Sequence, residues 1–269
     1  DLDGRTNFRV GAERQLPNAL TVGAAYFGSW DSRDLSDRDE YEDRWAIYAQ
    51  NVWGRLSGGE VNDSVREATR RWRGTGNAAL EFDDMVGTLL DDDLGLAYHL
   101  RLSAWTLEAG ADEDGNTDFG ITYERPNKYV DIRFTGRVTN AEVRSLDNAT
   151  VFDTFGTSFV GQVEYGSFAA DIGVGYEDFD ARMADGDRYY ISAGLHYKVR
   201  RLTLSAEGHW GEIDGDDEKS AALGLRYDIA RGFSFNLGYN WAESMAAIDG
   251  IAIQNVDKNE VVGSLRYEF

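Results

Sequence analysis

Apolar and polar residues alternate along most of this chain with a period of two, the pattern of an extended strand with one dry face and one wet face. The last stretch shows it well. Val261, Gly263, Leu265, Tyr267 and Phe269 fall on one face, while Glu260, Ser264, Arg266 and Glu268 fall on the other, with Val262 as an apolar exception. The chain also opens this way: within Arg5–Arg14, Phe8, Val10 and Ala12 face one side and Asn7, Arg9 and Glu13 the other. The pattern recurs at Ala19–Ser29, Arg44–Val52 and Arg55–Val61, and returns from Leu94 to the C-terminus, predicting about fifteen strands. Between them, Asn62–Asp93 has no period of two, and Asp63–Arg73 within it fits a helical turn or two.

The connections alternate short and long. Gly166-Ser167, Arg200-Arg201 and Arg231-Gly232 are predicted two-residue turns, and Pro17 and Pro126 sit in other short ones. Trp30–Asp43, Asn140–Thr154, Asp178–Asp187, Glu212–Lys219 and Glu243–Asp257 are expected to be longer connections, most of them acidic. Strands that run up and down with tight turns on one side and larger loops on the other are the layout of a transmembrane β-barrel. Neither proline falls inside a predicted strand, as a hydrogen-bonded ladder requires.

Composition narrows the choice. Only 42% of the 269 residues are hydrophobic, and no run approaches the roughly 20 apolar residues of a membrane helix. Mean hydropathy is -0.48, which suits a soluble protein but equally a barrel whose strands are half polar by design. A soluble all-β fold explains the alternation. It does not explain why Tyr, Trp and Phe gather at strand ends, where a barrel meets the two lipid interfaces. Single-chain bacterial barrels have an even strand number, so a sixteenth strand is expected ahead of Asp1, closing against the last one. The net charge of -21 argues against nucleic acid. No cysteine is present, which excludes a disulfide framework and suits passage through an oxidising periplasm. The sequence shows no secretory leader, so an exported protein would carry this chain in processed form.

With GRLSGGEVNDS at Gly54–Ser64 and its aromatic C-terminus, the chain resembles the general bacterial porins, particularly those of α-proteobacteria. The resemblance implies an all-β transmembrane barrel of about 16 strands in one domain, with Asn62–Asp93 as a long third loop folded into the lumen. It also implies a homotrimer in the outer membrane of a Gram-negative bacterium, in contact with lipid and lipopolysaccharide. Such a protein passes small hydrophilic solutes and ions by diffusion, without a cofactor. The smaller outward residues Ala12, Ala24 and Ala49 place the subunit interface near the N-terminus.

A sixteen-stranded barrel is too wide to sieve solutes unless something fills it. Carboxylates on an inward loop facing a wall of arginines would set a transverse field across the opening. Asp63, Glu67, Glu81, Asp83 and Asp84 are the candidate loop acids, and Arg9, Arg44, Arg55 and Arg266 the candidate wall bases. Arg66, Arg70, Arg71 and Arg73 lie on the same loop and blur the division of sign.

Asp112 and Asp114, like Asp214 and Asp216, have the spacing of loop Ca²⁺ ligands, although solvated acidic loops explain them as well. His99, His196 and His209 are expected on the lumen face as polar residues rather than ligands. The sequence carries no nucleophile motif. Two other readings remain: a structural or adhesive barrel that holds a surface partner through acidic loops, and a barrel enzyme, which would need a catalytic group at the rim. The position of Asn62–Asp93 separates them, since inside the lumen it filters and outside it binds.

Overall fold

The computed structural model describes residues 5–17, 19–31, 41–89 and 93–267. Fourteen consecutive strands, each antiparallel to the next, build almost all of one sheet. They are β1 (Arg5–Gln15), β2 (Thr21–Asp31), β3 (Tyr41–Asn51), β4 (Gly54–Gly59), β5 (Gly95–Leu102), β6 (Trp105–Asp112) and β7 (Thr117–Arg125). Then come β8 (Asp131–Arg144), β9 (Val151–Tyr165), β10 (Phe168–Ala181), β11 (Ala184–Val199), β12 (Leu202–Ile213), β13 (Asp216–Ala230) and β14 (Phe233–Ser244). A two-stranded hairpin, β15 (Ala247–Ile248) and β16 (Ile251–Ala252), follows, and β17 (Val256–Tyr267) returns to pair with β14 as the fifteenth strand of the large sheet. One short helix, α1 (Ser64–Thr69), lies in the expected aperiodic segment.

The sheet is inside out by the standard of a soluble protein. Val10, Ile47, Leu56, Leu96, Leu195, Leu223 and Leu265 are all exposed, whereas Arg137, Thr139, Glu177, Arg188 and Glu218 are buried. With one face apolar and outward, the solvent that satisfies this sheet is lipid. Aromatic belts mark its two edges. Trp105–Tyr123 and Phe168–Tyr197 pack at 4.8 and 4.5 Å near the short turns, and Tyr189–Trp210 at 5.8 Å near the other end. Phe168 and Tyr176 on β10 are eight residues apart, so these edges lie roughly 26 Å apart along a strand, about 20 Å along the membrane normal at a tilt of about 40°.

The ladders extend further than the hydropathy suggested. Asp178–Asp187 and Glu212–Lys219, expected as loops, are instead the tips of β10–β11 and β12–β13, joined by Arg182-Met183 and Asp214-Gly215 alone. Beyond the lipid a strand needs no apolar face, so hydrogen bonding continues through polar sequence and the alternation that announces a strand vanishes. The expected connection at Asn140–Thr154 shrinks in the same way to Ser145–Thr150. By contrast, the one around Glu243–Asp257 is long. Its β15–β16 hairpin covers a small apolar core of Phe152, Phe179, Ile213 and Ile248 at this end of the sheet.

Curvature follows from what the aperiodic segment touches. Residues between Asp63 and Gly87 bond to inner-face groups of β3, β8, β10, β11, β12, β13, β14 and β17. One segment meets all of these only if the sheet wraps around it. Among the described residues no ladder joins β1 to β17.

Candidate functional site: a loop docked in the lumen

From Glu60 to Leu89 the chain leaves β4 and folds inward as a loop. Asn62 starts it, donating from Nδ2 to the carbonyl of Asp93 at 2.9 Å and so tying the two ends together. Helix α1 then packs Val65 (0% exposed) and Thr69 against β6, β7 and β8. Its last carbonyls, unsatisfied within so short a helix, are taken up by the wall: Thr135 Oγ1 donates to Thr69 O at 2.6 Å, and Arg133 donates to Ala68 O and Arg70 O.

After α1 the loop runs almost without regular structure, so the wall must satisfy its backbone. Thr75 N donates to Ser205 Oγ at 2.8 Å, Ala79 N to Asn240 Oδ1 at 2.9 Å, and Gly87 N to Glu177 Oε1 at 2.8 Å. Asn77 donates to the carbonyl of Val262 at 3.1 Å and accepts from Ser264 Oγ at 3.2 Å, reaching β17. Gly224 and Gly238, paired across β13 and β14, form a flat seat for this backbone. A side-chain carbon on either would strike the loop main chain, Thr75 O in one case and Asn77 in the other.

Three buried arginines fasten the loop. Arg71 reaches outward to Asp171 at 2.5 Å and Glu207 at 3.2 Å, and back to Asp83 at 3.4 Å. Arg188 reaches inward from β11, bonding Glu177 and Glu218 at 2.6 Å and the loop carbonyls of Asp84 and Phe82 at 2.8 and 2.7 Å. Arg137 on β8 holds Asp118 at 2.6 Å and Asp84 at 3.0 Å. The planar guanidinium suits this work because its donors diverge toward several acceptors at once. Burial pushes the Asp84 carboxyl up, but Arg137 and Arg66 outweigh that and hold it below the ordinary carboxylate range. For its neighbour Asp83 burial prevails, and the carboxyl is raised.

The expected site residues are therefore used in two ways. Arg44 meets Asp63 at 2.9 Å, the one such pair among the described residues between an expected wall base and an expected loop acid. Arg9 shares the inner face with Arg44, with Phe27 between them in register, and Arg55 stacks over Tyr48 at 4.0 Å. The other acids turn elsewhere. Glu67 pairs with Arg70 and Arg73 of its own loop, Glu81 with Lys258 at 2.7 Å, and Asp84 with Arg66 at 2.6 Å. Arg266 shares its face of β17 with Ser264, toward the short-turn end, while Tyr267 faces outward and is 59% exposed. Beside the Arg44–Asp63 pair, the loop is thus docked by salt bridges to β8, β10, β12 and β17 and by hydrogen bonds of its carbonyls to Arg188 on β11 and Ser220 on β13. Arg133, Arg137, Arg188, Asp118, Asp171, Glu177, Glu207, Glu218 and Lys258 were not singled out from the sequence. Their period-two position inside a strand was the available signal.

Because the loop lies against β7–β14 and β17, space remains along the opposite wall. A cavity of about 590 Å³ opens there, lined by Gln50, Arg55, Glu60, Asp63, His99, Arg101 and Glu108. Bases and acids alternate around it, and His99 Nδ1 lies 2.7 Å from Glu108.

Two further sets of expected residues have partners of their own. His209, expected as a polar lumen residue, sits in a row with Ser192 Oγ at 2.8 Å and Glu218 Oε1 at 3.1 Å, each member at most 6% exposed. Phe82 of the loop and Tyr190 pack on its ring at 5.9 and 5.7 Å. Of the candidate Ca²⁺ ligands, Asp112 accepts within its own turn, from Asp114 N and from two donors of Asn116, while Asp214 and Asp216 accept from Asp249 N and Ala247 N of the β15–β16 hairpin. Among the described residues no three acids or histidines gather in a way that could hold a metal ion.

No protein-family model matches the chain, and neither does any curated protein. Solved structures do. OmpT, an outer membrane protein of Vibrio cholerae folded in vitro and in its trimer form, superposes with a TM-score of 0.71 at 15% identity, over 99% of this chain and 96% of that one. The anion-selective porin from Comamonas acidovorans gives 0.66 at 12% identity, over 98% and 89%. A substituted porin of Rhodopseudomonas blastica gives 0.58 at 17% identity, over 99% and 91%. The chain therefore has the fold of the bacterial outer-membrane porins, a large antiparallel barrel with a loop inside it.

Proposed function

We propose that this protein is a porin of a Gram-negative outer membrane, a homotrimer whose subunits each pass small hydrophilic solutes and ions by diffusion. One observation carries the reading: the segment 60–89 fills part of the lumen, is bolted to one side of it, and leaves a charged cavity on the other. A loop that served to bind a surface partner would project from the barrel instead. The Ser192–His209–Glu218 row supports no hydrolysis in this reading, because it lies beneath the loop with Ser192 only 1% exposed, and a nucleophile must reach its substrate. Its hydrogen bonds satisfy polar groups that the loop buries.

The direct test is a planar bilayer. Purified protein is expected to insert in discrete steps, with currents carried by simple salts in the absence of any cofactor. Insertion that leaves the bilayer insulating would overturn the proposal.

A further inference from the structure

The two ends of this barrel carry opposite charge. The described connections at the short-turn end are Leu16–Leu20, Val52-Trp53, Ser103-Ala104, Pro126–Val130, Gly166-Ser167, Arg200-Arg201 and Arg231-Gly232. Their charged residues are Lys128, Arg200, Arg201 and Arg231, all basic, while the strand tips beside them are mixed, with Asp131, Glu164 and Asp228 against Arg125, Lys198 and Arg226. Arg201, Arg226 and Arg231 there line a cavity of about 340 Å³ that includes one acid, Asp228. At the opposite end the turns and the hairpin connection carry, among the described residues, Glu113, Asp114, Asp147, Asp214 and Asp249 against Arg182. The strand tips beside them add exposed acids, among them Asp180 and Asp185. The cavity beside the loop, which reaches the β3–β4 turn, is close to balanced, with Arg55 and Arg101 against Glu60, Asp63 and Glu108.

We propose that this axial separation makes the pore an electrostatic rectifier, a deepening that rests on the porin reading above. Mobile ions respond to each mouth. The acidic mouth enriches cations and the basic mouth enriches anions, at potentials that reach several kT in a confined, low-dielectric passage. When the acidic side is made positive, cations enter through the acidic mouth and anions through the basic one. Both then move toward the middle and accumulate, so conductance is high. With the polarity reversed both are drawn out of the pore and the middle is depleted. Current is therefore larger when the acidic side is positive. The effect belongs to low salt, because screening shrinks the reach of each mouth from about 10 Å at about 0.1 M to about 3 Å at about 1 M. The solutes favoured from the acidic side are cations.

Single-channel current–voltage curves test this. The chain has no cysteine, so Met245→Cys, at a position 78% exposed at the acidic end, takes one biotin. Streptavidin added to one chamber then reports which way each molecule has inserted. At about 0.1 M salt the current ratio between polarities is expected to be about two, as mouth potentials of several kT imply, larger with the acidic side positive, and close to one at about 1 M. The combined variant Lys128→Gln, Arg200→Gln, Arg201→Gln and Arg231→Gln alters the turns outside the ladders and should lose most of the asymmetry. Channels that conduct with straight curves at low salt, with the opposite sign, or with asymmetry unchanged in that variant overturn the inference and leave the porin reading standing. A bilayer without steps overturns the porin reading itself.

Discussion

Arg188 has no exposed surface, and its guanidinium is shared between Glu177, Glu218 and two carbonyls of the loop. A buried charge in this position does more than attract. If it is removed, two carboxylates remain in a dry place with nothing to neutralise them, and breaking a buried pair in that way costs about 3–5 kcal/mol. Replacing the whole cluster by apolar groups would cost less, because the penalty comes from the orphaned partners. Arg188→Met should therefore loosen the loop around Phe82–Asp84 and lower thermal stability, while the barrel ladders survive. In single-channel recording it is expected to show larger and noisier open-channel current. Arg188→Lys should rescue little, since an ammonium offers no divergent fork for four acceptors on different elements. A variant with wild-type noise, conductance and melting temperature would remove Arg188 from the docking scheme.

Among the elements, the loop depends on shape as much as on charge. Gly224 and Gly238 are neighbours across β13 and β14, and the loop main chain at Thr75–Ala78 rests on them. An added methyl at either has to displace backbone, the least adaptable neighbour, and overpacking of this kind costs about 1–3 kcal/mol. Gly224→Ala and Gly238→Ala are expected to lift the loop and raise conductance, and proteolysis within residues 74–78 should become faster. Gly208→Ala is the control, because nothing lies within 4 Å of the position its new carbon would take. Equal behaviour of the three variants would mean that the seat does not hold the loop. The seat also shows how far the sequence could be read. Alternation identifies the strands, and its absence from Asn62–Asp93, together with the resemblance at Gly54–Ser64, identifies the loop. The wall partners were hidden because they depend on register: whether Arg137 or Arg133 faces Asp84 depends on how β8 is offset against β7 and on where the loop descends. Polar strand tips such as Asp178–Asp187 were hidden for the opposite reason, since outside lipid nothing enforces alternation.

For the whole molecule, the outer face is uneven in a way that bears on assembly. Around β9–β13 it presents large side chains such as Tyr165, Phe168, Leu195, Trp210 and Leu223. On β1–β3 a patch of small residues interrupts larger ones such as Val10, Trp45 and Ile47: Ala12 pairs with Ala24, and Ala49 with Val22. Within lipid, burying apolar surface offers little driving force between subunits, so association favours surfaces smooth enough for close van der Waals contact. Large flexible side chains suit lipid tails instead, which adapt to them. The small-residue face is thus the one on which a second copy of this chain would sit most closely. A tryptophan at Ala24, in the middle of that face, would hold two flat surfaces apart while still being tolerated by lipid, so the monomer should fold normally. Ala24→Trp is expected to shift detergent-solubilised protein from trimer to monomer in native mass spectrometry, with an unchanged far-ultraviolet dichroism spectrum. Leu195→Trp, on the face already crowded with large residues, should leave the trimer intact. If Ala24→Trp remained trimeric while Leu195→Trp dissociated, the interface would lie on the β9–β13 side and the small-residue face would belong to lipid.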